Sequence, residues 1–562
     1  MKTASKSPAV LTFAVLAFLS TLLLSVNIGL IGFEFHPGEL NYLRLNPPEF
    51  PPLYSALVAG LKTIAGADWF ILRLPSAVLG GLTLTLTFAF GLVLFQSRRA
   101  AAMACLILLS SKLFFRAGRI IEPDMAAVFC TTGAFYFLYP IIQSGPTARN
   151  IRPFYLFLII GFLAGGLKVV FPPMLSGLIA LGVAREWKKI RNTVFTLDAA
   201  AFSALILLFL KDSQYREFLG EHGALNLKDD LHTPAGILLH NLGYSFQHFW
   251  SHLDPWIYIG LPALVLSVYK LIKQPRASQP SAFLLLWLGS TCLCFSVVMK
   301  LKYNYIILGI PAMALLLGEY FVRPLNRTSP AGQIDWLFKT VIPGTGIILG
   351  LLALSGITVL LAGANKLLLI VFLAVFIGSM MIVGKSSRPE APSVLLAILI
   401  YLILIQTPLM QKAGLLAYSS IQSLLQQNTM PVDSDDLIVS GSHDLSRDTL
   451  QLFFEQQIVK AGESYDDGTV YWLNYYLAKT EPTYIFILED DFVRFLKNIP
   501  EREYRIIGRE RLIKKSLRLD YSFFTALLKL DIPAVQQYLL DNVLLVYQPA
   551  GVQSKITSTP IR

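Results

Sequence analysis

Apolar runs of about 15 to 25 residues recur along the first 410 positions, separated by short connectors that carry much of the basic charge. Runs of that length predict membrane-spanning helices at roughly 9–33, 70–95, 100–116, 121–142, 154–168, 169–184, 194–211, 255–272, 281–299, 303–322, 337–361, 367–384 and 392–410. The first run follows Lys2 and Lys6 and lacks a small-residue cleavage site, so it reads as a retained span with the amino terminus inside. The basic connectors Arg98-Arg99, Arg149 with Arg152, Arg185 to Arg191, Lys270 to Arg276, Arg323 with Arg327, and Lys385 with Arg388 then fall on the cytoplasmic side. Alternation gives about thirteen spans and places the carboxy-terminal part outside. The 154–168 and 169–184 runs form a hairpin that brings Lys168 near the outer membrane surface.

After residue 410 the pattern changes to short β-prone runs: LIVS (437–440), TYIFIL (483–488), YRIIG (504–508) and NVLLVYQ (542–548), with helical candidates near 446–461 and 489–497. Residues 1–410 therefore read as a transmembrane domain and 411–562 as a small extracytoplasmic α/β domain. The latter has neither a Gly-rich phosphate loop nor a recognisable catalytic triad, so a covering or acceptor-holding role fits it best.

Composition strengthens the membrane reading. The 562 residues are 54% hydrophobic and only 15% charged, and the mean hydropathy is +0.57; one soluble core cannot hide so much apolar surface. The net charge of +11 lies largely in connectors, with no arginine-rich tail or aromatic-basic groove, which argues against nucleic acid as a partner. All four cysteines (Cys105, Cys130, Cys292, Cys294) sit in apolar runs, which disfavours a disulfide framework and a thiolate zinc site.

Between the first two spans lies the chemically richest stretch, an extracytoplasmic loop at 34–69. It places Glu34, His36, Glu39 and Glu49 among prolines and tyrosines, where a connector needs only a short turn. Its apolar segment PPLYSALVAGLKTIAG is too short to cross and reads as an interfacial or re-entrant helix. On the same side the topology sets Arg119, Glu122 and Asp124, then Lys168, and finally Lys300, Lys302 and Tyr305. Carboxylates beside fixed cations at a lipid surface suit a substrate with a lipid tail and an anionic headgroup. A lipid phosphate needs cations or a divalent metal ion, while a carboxylate takes a proton from an attacking hydroxyl or amine. The cofactor stays open. His248 and His252 are four apart with Asp254 beyond, but HFWSHLD lacks the glutamate of a metalloprotease motif and reads as a membrane-border helix.

The segments PGELNYLRL, PEFPPLYSAL, RLPSAV, SSKLFFRAGRIIEPDM, GGLKVVFPPML and FSVVMKLKYNYIILGIPAMALLLG, in this order, resemble the GT-C fold glycosyltransferases of the lipid A aminoarabinose transferase and protein O-mannosyltransferase type. The resemblance runs from about residue 9 to 325. It implies a mainly α, polytopic membrane GT-C fold, a polyprenyl-phosphate sugar donor, and transfer with inversion on the non-cytoplasmic face. The acceptor would be an envelope lipid, a glycan or a protein. It also distributes roles. Glu39 is the first candidate base and Glu34 the second; Asp124 matches a second active-site acid; Glu49, Tyr42, Arg119, Lys168, Lys300, Lys302 and Tyr305 are candidate substrate contacts. Where the family carries an Asp before the glutamate and a Lys before the proline, this chain has Gly38 and Phe50. Two other classes stay in view: a lipid transporter or flippase, which needs a polar route between both faces, and a noncatalytic glycan-assembly subunit, which the two exchanges favour. The expected location is the bacterial inner membrane.

Overall fold

The computed structural model describes residues 7–26, 28, 52–66, 68–194, 196–211, 256–273, 279–297, 303–323, 336–348, 350, 391–412, 437–440, 459–460, 483–489, 491–493, 505–513 and 540–548. The chain divides into two compact units: Met1–Gly29 with Asn41–Leu352 and Ala374–Ile405, and Leu30–Leu40 with Ala353–Leu373 and Gln406–Arg562.

The first unit is helical. Its elements are α1 (Ser7–Ser25), α2 (Pro52–Ala65), α3 (Trp69–Phe95), α4 (Arg98–Leu109), α5 (Lys112–Ala117), α6 (Asp124–Ser144), α7 (Ala148–Gly165), α8 (Leu167–Val183), α9 (Trp187–Val194), α10 (Leu197–Lys211), α11 (Trp256–Lys273), α12 (Gln279–Val297) and α13 (Ile310–Val322), followed by α14 (Ala391–Lys412), which belongs to this unit as far as Ile405. Among the described residues, α3 and α6 are each long and apolar enough to cross a membrane, and α9 with α10 forms a third candidate bent by 61° at its break. Shorter apolar helices accompany them.

Several expected spans are interrupted, each for a local reason. The 100–116 run breaks at Ser110-Ser111, where the Ser110 hydroxyl donates to Leu106 O at 2.7 Å and ends α4. The 194–211 run starts as a separate helix at Leu197, where the Thr196 hydroxyl accepts from Ala199 N at 3.1 Å as a cap does. The 303–322 run opens with a 3-10 turn, Tyr303–Gly309, and becomes α-helical where proline enters the first turn of α13. The helix of the 121–142 run begins at Asp124. The expected span at 367–384 lies outside the described residues, as does the whole stretch 212–254 between the 194–211 and 255–272 runs.

Packing follows the membrane rule that small residues let backbones approach. A Cβ on Gly81 of α3 would stand 2.2 Å from Thr21 Oγ1 of α1, and one on Gly318 of α13 would stand 2.5 Å from Ala100 O of α4. Elsewhere large rings fill the interior. Phe135 of α6 stacks on Trp287 of α12 with ring centroids 4.2 Å apart, and Trp287 Nε1 donates to Leu308 O at 3.0 Å, which satisfies the buried indole.

In the second unit, β1 (Leu437–Ser440), β2 (Val459–Lys460), β3 (Thr483–Leu488), β4 (Arg505–Ile513) and β5 (Leu540–Gln548) form a sheet of order β2-β1-β3-β5-β4. The first three are parallel, and β5 runs antiparallel to β3 and β4. Every residue of β3 is buried, which explains why Tyr484 to Leu488 do not alternate with polar residues: a central strand covered on both faces shows no alternation. The helical candidate at 446–461 is corrected at its end, since Val459 and Lys460 pair with Val439 and Ser440 as β2. Cross-strand pairing there overrides local periodicity. Arg509 of β4 forms an ion pair with Glu489, just past β3.

Candidate active site

The best-defined group of charges lies where the N-terminal ends of α6 and α8 meet. Asp124 occupies the first turn of α6, where a carboxylate complements the positive end of the helix dipole. Lys168 occupies the first turn of α8, directly after Gly166, whose φ of +77° ends α7 and favours a residue without Cβ. A cation at a helix N-terminus is unfavourable by itself. Lys168 Nζ donates to Asp124 Oδ1 at 2.6 Å, and the two side chains are only 9% and 10% exposed. The pair therefore joins the α7–α8 corner to the start of α6 across 44 residues of sequence.

The turn entering α6 is fixed from the other side by a hydroxyl chain. Ser76 of α3 donates to Ile120 O at 2.8 Å. Its single proton is thereby committed, so the 2.8 Å contact between Tyr54 OH and Ser76 Oγ has Tyr54 of α2 as donor. Around this chain Tyr54, Val58, Leu72, Ile121, Ala126 and Ala164 form one buried apolar cluster. PPLYSALVAGLKTIAG is thus a helix whose Tyr54, Ser55 and Val58 are buried while Leu53, Leu57 and Ile64 are exposed. Glu122, in the same turn, is buried with 7% exposure.

Two fully buried arginines hold the end of α1. Arg119 Nη1 donates to Leu24 O at 2.9 Å and to Val26 O at 2.5 Å, and its guanidinium lies 4.9 Å from the centre of the Phe115 ring. Arg73 Nη1 donates to Ile28 O at 3.1 Å and stands 5.1 Å from the centre of the Trp69 ring. Tyr401 OH donates to Leu23 O at 2.8 Å. Carbonyls at a helix C-terminus have no intrahelical donor, and cations are the favoured partners there. Arg119, a candidate phosphate contact by sequence, thus also has a structural task. Arg119 anchors the chain as far as Val26, and Arg73 holds Ile28, the last described residue before the acidic loop.

Of the candidates named from the sequence, the structure brings Asp124 and Lys168 into direct contact and sets Arg119 and Glu122 in the turn before them. Glu34, His36, Glu39, Tyr42, Glu49, Lys300 and Lys302 lie outside the described residues. Tyr305 falls in the 3-10 turn, with its side chain outside the description. Among the described residues no group of three or more His, Cys, Asp or Glu is placed to hold a metal ion. Tyr54 and Ser76, which fix the turn entering α6, were not singled out from the sequence, where they are two hydroxyls among several on α2 and α3.

Residues 44–211 match the family model described as dolichyl-phosphate-mannose-protein mannosyltransferase. That segment spans α2 to α10 and contains Arg73, Arg119, Asp124 and Lys168. Among solved structures, ArnT from Cupriavidus metallidurans in the apo state aligns with a TM-score of 0.54 and 15% sequence identity, over 96% of this chain and 98% of that chain. ArnT from the same organism bound to undecaprenyl phosphate aligns with a TM-score of 0.54 and 15% identity, over 99% and 100%. The chain has the GT-C fold. No curated protein sequence matches it. With the GT-C fold in place, the Asp124–Lys168 pair is built into the segment that also matches the mannosyltransferase model.

Proposed function

We propose that this chain is a multi-pass membrane glycosyltransferase that moves a sugar from a polyprenyl-phosphate donor to an envelope lipid, a glycan or a protein on the extracytoplasmic face. The observation that carries the reading is the buried Lys168–Asp124 pair at two helix N-termini, inside the segment that matches the mannosyltransferase model. Ionisable groups in an apolar helical setting are costly and mark function by default. The undecaprenyl phosphate bound by ArnT, which has the same fold, supports a lipid-phosphate donor.

In the proposed reaction Glu39, with Glu34 as the second candidate, accepts the proton of the acceptor hydroxyl or amine. The acceptor heteroatom then forms a bond to the anomeric carbon as the bond from that carbon to the phosphate oxygen breaks. In-line displacement inverts the anomeric centre. Polyprenyl phosphate departs with the bonding electron pair, and its negative charge is met by Lys168, Lys300 and Lys302, with Arg119, Glu49, Tyr42 and Tyr305 shaping the substrate contacts. Asp124 holds the Lys168 ammonium in place, so that the cation is positioned before the phosphate arrives. The N-terminus is then cytoplasmic and residues 411–562 are extracytoplasmic.

Gly38 and Phe50 favour a second reading, a noncatalytic glycan-assembly subunit. Mass analysis of envelope lipids, glycans and proteins from a deletion strain separates the two. Loss of one sugar, restored by the wild-type gene but not by Glu39→Gln, supports the enzyme. Restoration by Glu39→Gln at the wild-type level removes Glu39 from an essential role, and an unchanged sugar inventory in the deletion strain contradicts the transferase reading.

A further inference from the structure

From Ile107 to Asp124 the chain is buried at every residue except Lys112, Arg116 and Pro123. Both cations belong to α5, whose other faces are filled by the buried Leu113, Phe114, Phe115 and Ala117. Residues four apart on a helix share a face, so the exposed Lys112 stands one turn from the half-buried Arg116. The segment is fixed in place. Phe115 N donates to Ser111 O at 2.9 Å, Gly118 N to Phe114 O at 3.0 Å and Arg119 N to Arg116 O at 2.9 Å. The Phe115 ring meets Tyr401 edge-on at 5.9 Å, and α5 packs against α3, α6 and the 3-10 turn Tyr303–Gly309.

Other cations of this region are already engaged. Arg119 and Arg73 hold carbonyls at the end of α1, and Lys168 holds Asp124. Arg116 differs. Its Nε is fully covered, yet among the described residues it meets no hydrogen-bond acceptor. The ion pairs among those residues include neither Arg116 nor Lys112. A covered donor on a charged group is costly to leave without an acceptor. In a guanidinium, Nε–H and the adjoining Nη–H form a planar edge of two parallel donors, which fits two oxygens of one phosphate.

We propose that Arg116 and Lys112 bind the phosphate of a lipid. The Arg116 edge takes two phosphate oxygens, and the Lys112 ammonium meets the remaining charge from the exposed side. The place of α5 in the fold selects a lipid as the source. The helix ends shortly before Asp124, where α6 starts, and α6 is long and apolar enough to cross a membrane. Lipid phosphates lie at the level where such a crossing begins, and paired cations there draw them. The exposure of Lys112 leaves the approach open, while the burial of the rest of α5 holds the two cations in register. Neither residue has a part in the reaction proposed above. The site stands without the transferase reading, because what it recognises is a phosphate and not a sugar.

The test is native mass spectrometry of the purified, delipidated full-length protein, with a polyprenyl phosphate, the matching polyprenol, phosphatidylglycerol and diacylglycerol added in turn. The Lys112→Gln/Arg116→Gln variant should retain one or both phosphate lipids about tenfold less than the wild type, with polyprenol and diacylglycerol unchanged. A loss confined to polyprenyl phosphate identifies that lipid as the ligand, and a loss confined to phosphatidylglycerol identifies a headgroup of the surrounding leaflet. Lys112→Glu, at an exposed position, gives the same reading if the double variant does not fold. Unchanged retention of both phosphate lipids would overturn the proposal and leave Arg116 Nε to a buried water. So would an equal loss of the two phosphate-free probes, which would show that the variant disturbs packing and not phosphate recognition.

Discussion

Removing the charge of Lys168 by Lys168→Met leaves Asp124 as a carboxylate that is only 10% exposed and has lost the partner at 2.6 Å. Breaking a buried ion pair from one side costs about 3–5 kcal/mol, because the remaining charge stays desolvated. The N-terminus of α6 gives part of that back, on the order of 0.3–1 kcal/mol for a carboxylate in the first turn. The single variant is thus destabilised by about 2–5 kcal/mol. Asp124→Asn takes the carboxylate away from the Lys168 ammonium at the N-terminus of α8, where the dipole opposes a cation, so its cost falls in the same range. The double variant removes both charges and should be less destabilised than the sum of the singles by at least about 2 kcal/mol. SDS-induced unfolding of the four proteins in mixed micelles measures this cycle. Additivity to within about 0.5 kcal/mol would refute the pairing as an energetic unit. Donor turnover measured alongside separates structure from function, since the proposed role of Lys168 predicts that the double variant regains stability without regaining activity.

Other consequences follow from particular contacts. Ser76→Ala leaves Ile120 O and Tyr54 OH without their shared partner and should cost about 1–3 kcal/mol, whereas Tyr54→Phe should cost only about 0.5–1.5 kcal/mol; equal losses would contradict the order of donation in the chain. Gly166→Ala forces a Cβ onto a φ of +77° and should cost on the order of 1–3 kcal/mol, with weaker donor binding as Lys168 shifts; unchanged stability and affinity would show that the corner is not strained. Gly81→Ala should destabilise by about 1–3 kcal/mol through its clash with Thr21, while Gly60→Ala, with nothing within 4 Å, should be neutral or stabilising by up to about 1 kcal/mol; a reversed order would contradict the α1–α3 packing. Glu39→Gln should lower turnover by about 10²–10⁴ with donor binding retained, measured by labelled transfer and by filter binding.

The sequence was most legible where one physical effect dominates. Long apolar runs announce helices, and the β-prone run TYIFIL announces the strand β3, because burial dominates both patterns. Asp124 and Lys168 were each legible as charges in apolar surroundings, but their pairing was not: it depends on how α6, α7 and α8 pack, and that follows from side-chain shapes rather than from period. Arg119 shows the opposite difficulty. An arginine near a membrane surface reads as a phosphate ligand, yet it also satisfies carbonyls at the end of α1, a partner about 95 residues away in sequence. The breaks at Ser110-Ser111 and before Leu197 were hidden because serine and threonine are tolerated within apolar helices and stop them only through hydroxyl-backbone bonds. Val459 and Lys460 were hidden in a helical period because the strand they join is some 20 residues earlier.

The most direct test of the account follows the bond itself. Purified wild-type protein in lipid nanodiscs is given a polyprenyl-phosphate donor labelled in its sugar, together with an envelope extract as acceptor. The account predicts label in an acceptor with inverted anomeric configuration and an equimolar amount of free polyprenyl phosphate, neither of which appears with the Glu39→Gln protein. Donor bound but recovered intact, or moved across the bilayer with its sugar still attached, would contradict it.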